Sequence, residues 1–123
     1  MTLNTISLEY SPDALNHWFS RVEQQPWSIL LSSSAAEHHD NRFDIFSADP
    51  LMTLSTTGQT TLISEGDKRH YSPHDPLTLL QEALQKLPEV ATSVPDLPFT
   101  GGALGLFGYD LGRRFEQLPE TAV

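Results

Sequence analysis

The chain has 123 residues, which suits one ordinary domain. Sixteen acidic residues against seven basic ones give a formal charge of −9, which opposes sequence-independent binding to nucleic acid or to an anionic membrane surface. The sequence contains no cysteine, and this excludes disulfides, thiolate metal sites and thiol catalysis. No apolar run approaches the roughly 20 residues of a membrane span, so we expect a cytoplasmic protein.

The first half of the chain predicts one helix and two short strands. Residues 12–24 should be helical, because Ser11 can cap, Pro12 suits a first turn, and apolar residues then recur at three- and four-residue spacing. The apolar run 27–32 predicts a buried strand and 43–49 a second one, with an exposed polar loop between them.

Three further strands are predicted at 51–57, 60–64 and 69–71, separated by turns that contain Gly58 and Gly66. They should form an antiparallel meander with one packed face and one wet face. The packed and the wet residues of its first strand are predicted to be Met52, Leu54 and Thr56 and, in alternation with them, Thr53, Ser55 and Thr57.

A second helix is predicted to begin at Asp75-Pro76 and to end before Pro88. Its apolar face should consist of Leu77, Leu80, Leu84 and Leu87. Residues 88–98 form a surface connection, and the glycine-rich tract 99–116 matches no phosphate-binding motif, so it favours a buried strand instead. This order of elements predicts an α+β fold, an antiparallel sheet with flanking helices.

No catalytic or metal-binding constellation emerges from the spacing of the residues. The histidine pairs His38-His39 and His70 with His74 lack a third ligand at a useful spacing and are interpreted as solvated. Arg42-Phe43-Asp44 is compatible with two interpretations: a guanidinium and a carboxylate that hold a zwitterionic ligand, or a structural ion pair beside a strand.

The tract from Leu97 to Glu116, together with Pro26-Trp27 and the stretch 42–50, resembles aminodeoxychorismate synthase component I. The resemblance implies that residues 1–123 are the amino-terminal region of that family, an incomplete part of the two-sheet sandwich of the anthranilate synthase component I fold. Members of the family aminate chorismate to 4-amino-4-deoxychorismate, on the route to 4-aminobenzoate and folate. The ammonia comes from a glutamine amidotransferase, component II.

The resemblance also implies magnesium and a nucleophilic lysine, both of which the family carries in its carboxyl-terminal half. We therefore expect no catalytic residue, no metal ligand and no cofactor in this chain, which should be catalytically silent. The family's pocket for L-tryptophan matches five residues of this sequence, namely Ser33, Asp40, Asn41, Arg42 and Phe43. The alternatives are a tryptophan-binding regulatory or structural module without catalysis and a module that docks the amidotransferase.

Overall fold

The computed structural model describes residues 2–33, 43–91, 94 and 96–119. Its elements in chain order are the helix α1 (Ala14–Phe19), the strands β1 (Ile29–Leu31), β2 (Ile45–Ser47), β3 (Met52–Thr57), β4 (Thr60–Glu65) and β5 (Lys68–Ser72), the helix α2 (Pro76–Gln85) and a 3-10 helix (Tyr109–Arg114). The strands form two antiparallel sheets, β1–β2 and β3–β4–β5. The predicted α+β class is therefore confirmed.

The predicted meander is present, and two-residue turns set its register. Thr57 pairs with Thr60 and Glu65 pairs with Lys68, so each connection is as short as a hairpin allows. The first turn residue, Gly58 or Gly66, has a φ of 59° or 58°, a backbone conformation that suits glycine best.

The central strand β4 carries the buried face of the meander. Thr61 is completely buried and Ile63 is 8% exposed, and the register places Thr56 and Leu54 opposite them. The hydroxyls of Thr56 and Thr61 lie 2.7 Å apart, which satisfies the buried one. The face of β3 that was predicted to pack, which carries Leu54 and Thr56, therefore lies beside the buried residues of β4. Strict alternation along β3 is wrong, because its first three residues are half-buried and its last three are exposed on both faces.

Helix α2 begins as predicted and covers the meander with a different stripe. The Asp75 carboxylate caps it by accepting a 2.9 Å hydrogen bond from the backbone N–H of Leu77. Leu79 is the buried residue of this helix, and Leu80 and Ala83 beside it are half-buried. The prediction of Leu77, Leu84 and Leu87 as inward residues is wrong, since each remains about 40% exposed. The helix contacts β3 of the meander.

Helix α1 is shorter than predicted. It ends at Phe19, and residues 20–25 continue as turns in which the N–H groups of Val22 and Glu23 both donate to the Phe19 carbonyl. Pro26 follows in these turns and has no backbone N–H to donate, so the turns cannot extend through it as a helix, and β1 begins at Ile29. The rings of Phe19 and Phe46 meet edge to face, with centroids 6.1 Å apart, which joins α1 to β2.

The β1–β2 hairpin occupies the two predicted strand regions, with fewer residues in each. Its open end is closed by a 2.9 Å hydrogen bond from the Asp49 N–H to the Pro26 carbonyl. The two residues beside this bond, Trp27 and Asp49, have φ values of 58° and 50°. Left-handed backbone is uncommon outside glycine and is least expected for a bulky residue such as tryptophan.

The glycine-rich tract is not the buried strand that its sequence predicts. Residues 103–108 form no regular element, and Leu106 and Tyr109 are 95% and 92% exposed. Gly101 and Gly102 have φ values of 133° and 140°, which a strand of L-residues does not adopt. No described strand pairs with residues 103–107, so their backbone polar groups are not satisfied by a sheet.

The chain leaves an unusually large surface exposed. Its accessible area is 10452 Å², whereas a compact monomer of this mass exposes about 6,600 Å². Among the described residues, only Ile63 and Leu79 form a buried apolar core, while large apolar side chains such as Trp27, Leu51 and Phe107 stay more than half exposed. In the same residues no helix has both the length and the apolar character needed to cross a bilayer.

We expect the isolated chain to associate through the exposed segment 104–109. Burying Leu106 and Phe107 in a contact between chains would remove apolar area at roughly 25 cal/mol per Å². Sedimentation velocity should show oligomers that grow with concentration, and the double substitution Leu106→Ser with Phe107→Ser should reduce them.

The matched control is Tyr10→Ser, which removes an aromatic ring that is also exposed and is distant in sequence from residues 104–109. A monomeric chain with a sharp cooperative melt and strong amide protection at 104–109 would contradict the expectation.

Candidate functional site

The candidate site lies where the loop between β1 and β2 leaves the hairpin, and we call this place the hairpin mouth: Ser32, Ser33, Phe43 and Asp44. The Ser33 hydroxyl donates a 2.6 Å hydrogen bond to the Phe43 carbonyl. The Ser33 N–H donates a 2.8 Å hydrogen bond to Asp44 Oδ1, and the Ser32 hydroxyl donates to the same oxygen at 3.1 Å. Three hydrogen bonds therefore join the two segments of the chain that flank the loop at this end of the hairpin.

The hairpin mouth extends the strand pairing with side-chain hydrogen bonds. The last paired residues of the ladder are Leu31 and Ile45, so the mouth residues come directly after β1 and directly before β2. A carboxylate that accepts from a backbone N–H and from a hydroxyl forms charge-assisted bonds, which are stronger than neutral ones. Asp44 thus links the two ends of the loop, and we call its two hydrogen bonds to Ser32 and Ser33 the Asp44 latch.

Two of the five predicted tryptophan-binding residues are brought together here. Ser33 and Phe43 are half-buried and hydrogen-bonded to each other. The other three, Asp40, Asn41 and Arg42, lie outside the described residues. Of Arg42 and Asp44, the structure describes Asp44 alone. Its carboxylate accepts hydrogen bonds from the Ser33 N–H and the Ser32 hydroxyl, directly after β1.

Sequence reasoning considered Asp44 as a ligand contact or an ion-pair partner and missed its bonds to Ser32 and Ser33. A usable signal was present: two serines directly follow one strand and an aspartate directly precedes the next. When two such strands form a hairpin, these residues face each other across its end. The hydrogen bonds between them follow from their short polar side chains.

The described residues do not fit the magnesium ion that the family resemblance implies. In this part of the chain, no three His, Asp or Glu side chains come close enough to hold a metal. Mg²⁺ needs oxygen ligands in near-octahedral geometry, commonly carboxylates. Of the two histidine pairs in the sequence, His70 and His74 are exposed, and His38 and His39 lie outside the described residues.

Two other concave regions are structural in character. A shallow groove beside α1 is lined partly by Leu8 and by Trp18, over whose ring the Arg21 guanidinium lies at 5.2 Å. Near the 3-10 helix, Arg113 pairs with Asp110 at 2.9 Å, and Arg114 donates to the Gly58 carbonyl at 3.0 Å. The two cations there are used to fasten the 3-10 helix.

Comparison with known proteins identifies relatives over nearly the whole chain. No family model matches the sequence. Over 95% of its length the chain is 53% identical to aminodeoxychorismate synthase component 1 of Klebsiella aerogenes and 51% identical to that of Escherichia coli K12. It is also 32% identical, over 84% of its length, to anthranilate synthase component 1 of Acetivibrio thermocellus.

The chain spans about a quarter of the length of these two aminodeoxychorismate synthase components, since the matched region is 26% of each. For the anthranilate synthase the share is 21%. The resemblance inferred from residues 97–116 and 42–50 is confirmed by these identities. The names of the relatives describe one component of a synthase with more than one component.

The latch role of Asp44 predicts a local change in amide hydrogen exchange. Asp44→Ala removes the acceptor of the Ser33 N–H, so exchange of this amide should accelerate by roughly tenfold or more, as expected for a hydrogen bond to a charged group. Asp44→Asn keeps an acceptor oxygen and should have a smaller effect.

Asp110→Asn serves as the control, because it removes an aspartate charge at the 3-10 helix. It should leave the exchange of Ser33 unchanged. Equal exchange of Ser33 in the native chain and in Asp44→Ala would contradict the latch.

Proposed function

Because the chain is homologous to one region of aminodeoxychorismate synthase component 1, we propose that it is the amino-terminal region of such a component and serves as scaffold. The complete component would aminate chorismate to 4-amino-4-deoxychorismate in the cytoplasm, on the route to 4-aminobenzoate and folate. Its ammonia would come from a glutamine amidotransferase, component II. Within that assembly these 123 residues would shape the protein and carry out no chemistry of their own.

The observation that carries the proposal is a high identity over a small share of the relatives. The match covers 95% of this chain but 26% of each relative. The many exposed large apolar side chains support the same conclusion, because apolar surface left in water is surface that a partner can cover. The remainder of a component 1 chain is the partner that would cover it.

The absence of chemistry from this region is supported by the lysines. The sequence has two, Lys68 and Lys86, and both are exposed. A lysine becomes a nucleophile at neutral pH when burial or a neighbouring cation favours the neutral amine. Neither position provides that burial, so the nucleophilic lysine and the magnesium site implied by the resemblance would belong to the rest of the component.

A two-piece assay tests the scaffold proposal. The chain is incubated with chorismate, magnesium and ammonia, alone and together with the part of the Escherichia coli relative that it does not match. We expect no aminodeoxychorismate from the chain alone and measurable product from the two pieces together, detected by mass spectrometry.

The unmatched part of the relative, assayed alone, is the control. Product formation by the 123 residues unaided would refute the silent role. Failure of the two pieces to co-purify or to restore activity would refute the scaffold role.

A second candidate function is tryptophan binding by the region itself. Its specific support is the hydrogen bond between Ser33 and Phe43, which brings together two of the five residues expected to line the pocket. Asp40, Asn41 and Arg42 would complete this wall, with the Arg42 guanidinium binding a carboxylate. The pocket would then be either regulatory or structural.

Calorimetry distinguishes binding by this region from binding that needs the rest of the component. If the region suffices, L-tryptophan should give a saturable heat with the isolated chain. Arg42→Ala should then weaken binding by roughly tenfold or more, because a charge-assisted hydrogen bond is lost.

Arg69→Ala is the control, since it removes an exposed cation from β5. It should leave affinity unchanged. The absence of any binding heat at millimolar tryptophan would remove the independent module as a candidate.

A further inference from the structure

The exposed apolar segment 104–109 lies in a stretch of the chain without charge. Residues 97–109 contain no acidic or basic side chain, although the rest of the sequence carries sixteen acidic and seven basic ones. Leu106 and Tyr109 are 95% and 92% exposed, and Phe107 between them is 63% exposed. Depletion of charged residues is typical of the buried centre of a protein interface. The segment therefore has the composition of a contact surface.

Both ends of this stretch are attached to the folded part of the chain. At its start, a Cβ placed on Gly102 would lie 3.9 Å from Leu84 Cδ2, so the backbone passes close to helix α2. Just after its end, Arg114 donates a 3.0 Å hydrogen bond to the Gly58 carbonyl in the turn between β3 and β4. The apolar residues between these two attachments remain exposed.

The two consecutive arginines of the 3-10 helix have separate roles. Arg113 binds within its own segment, since it donates to Asp110 at 2.9 Å and to two carbonyls that follow the helix at 3.3 Å. Arg114 is half-buried and binds outside that segment. Among the described residues, its bond to Gly58 is the only hydrogen bond between residues 109–119 and the meander.

We propose that Arg114 is a positioning residue, whose hydrogen bond to the Gly58 carbonyl determines where the segment 104–109 is presented to the remainder of component 1. This inference rests on the scaffold function proposed above and assigns the placement of the contact to one side chain. A segment held at both ends loses less conformational entropy on docking than a free one. A guanidinium suits this role, because it stays charged and its donors have a fixed planar arrangement.

The remainder of component 1 fits this surface better than a second copy of the chain does. Two copies each carry a formal charge of −9, so they repel each other when they approach. The matched region is 26% of each aminodeoxychorismate synthase relative, so most of such a component is available to cover the segment. A covalently joined partner also has a high effective concentration, which favours it over a second molecule.

A complete component tests this proposal. The 123 residues replace the matched region of the Escherichia coli relative, which gives a full-length chimaera. Hydrogen exchange is measured by mass spectrometry on the chimaera and on the 123 residues alone, and sedimentation equilibrium gives the oligomeric state. We expect a monomeric chimaera in which the amides of residues 104–109 exchange at least roughly tenfold more slowly than in the shorter chain.

Arg114→Ala in the chimaera should accelerate exchange at residues 104–109 by roughly tenfold, the effect of losing one hydrogen bond. The amides of β4 should be unchanged, whereas a general loss of stability would accelerate both regions. Arg114→Lys should restore part of the protection, because an ammonium group can still donate to one carbonyl. Arg69→Ala is the matched control, since it removes an exposed arginine from β5 and should alter neither region.

Unchanged exchange at residues 104–109 in Arg114→Ala, or equal acceleration in β4, would overturn the positioning role. A dimeric chimaera that Leu106→Ser with Phe107→Ser converts to a monomer would overturn it as well, because a second copy would then be the occupant. Formation of aminodeoxychorismate by the chimaera in either case would leave the scaffold function intact. An inactive chimaera with unprotected residues 104–109 would overturn both.

Discussion

The three-stranded meander depends on the few side chains that it and the helix α2 bury. Ile63 on β4 and Leu79 on α2 are the apolar side chains that the described residues bury, and the hydroxyl pair of Thr56 and Thr61 keeps the polar part of that face satisfied. This small core must offset the conformational entropy that a chain of 123 residues loses on folding. The remaining segments must therefore be stabilised by further contacts, which the exposed apolar side chains of the described residues are free to make.

The hairpin mouth shows a different source of order, because hydrogen bonds join its two sides. Three bonds converge within four residues, and a single carboxylate oxygen accepts two of them. Such a network sets donor and acceptor roles as well as positions. It therefore holds the two ends of the loop together at the end of the β1–β2 hairpin.

Elements that rest on local chemistry were predictable from the sequence, and elements that rest on distant partners were not. The two glycine turns and the Asp75 cap each depend on about four consecutive residues, and all three are present where predicted. The inward stripe of α2 depends on where the meander lies, so Leu79 was missed. The strand prediction for the glycine-rich tract assumed a paired neighbour, which spacing alone cannot supply. At the site, Ser33 and Phe43 were indicated by the family resemblance, whereas the latch by Asp44 required the hairpin register.

The left-handed backbone of Trp27 and Asp49 has a consequence for the β1–β2 hairpin. Non-glycine residues in this conformation cost on the order of 1–3 kcal/mol each, and the bond from Asp49 to Pro26 keeps both of them there. Opening of the hairpin would relieve this backbone strain, so the strain lowers the free-energy cost of opening the hairpin.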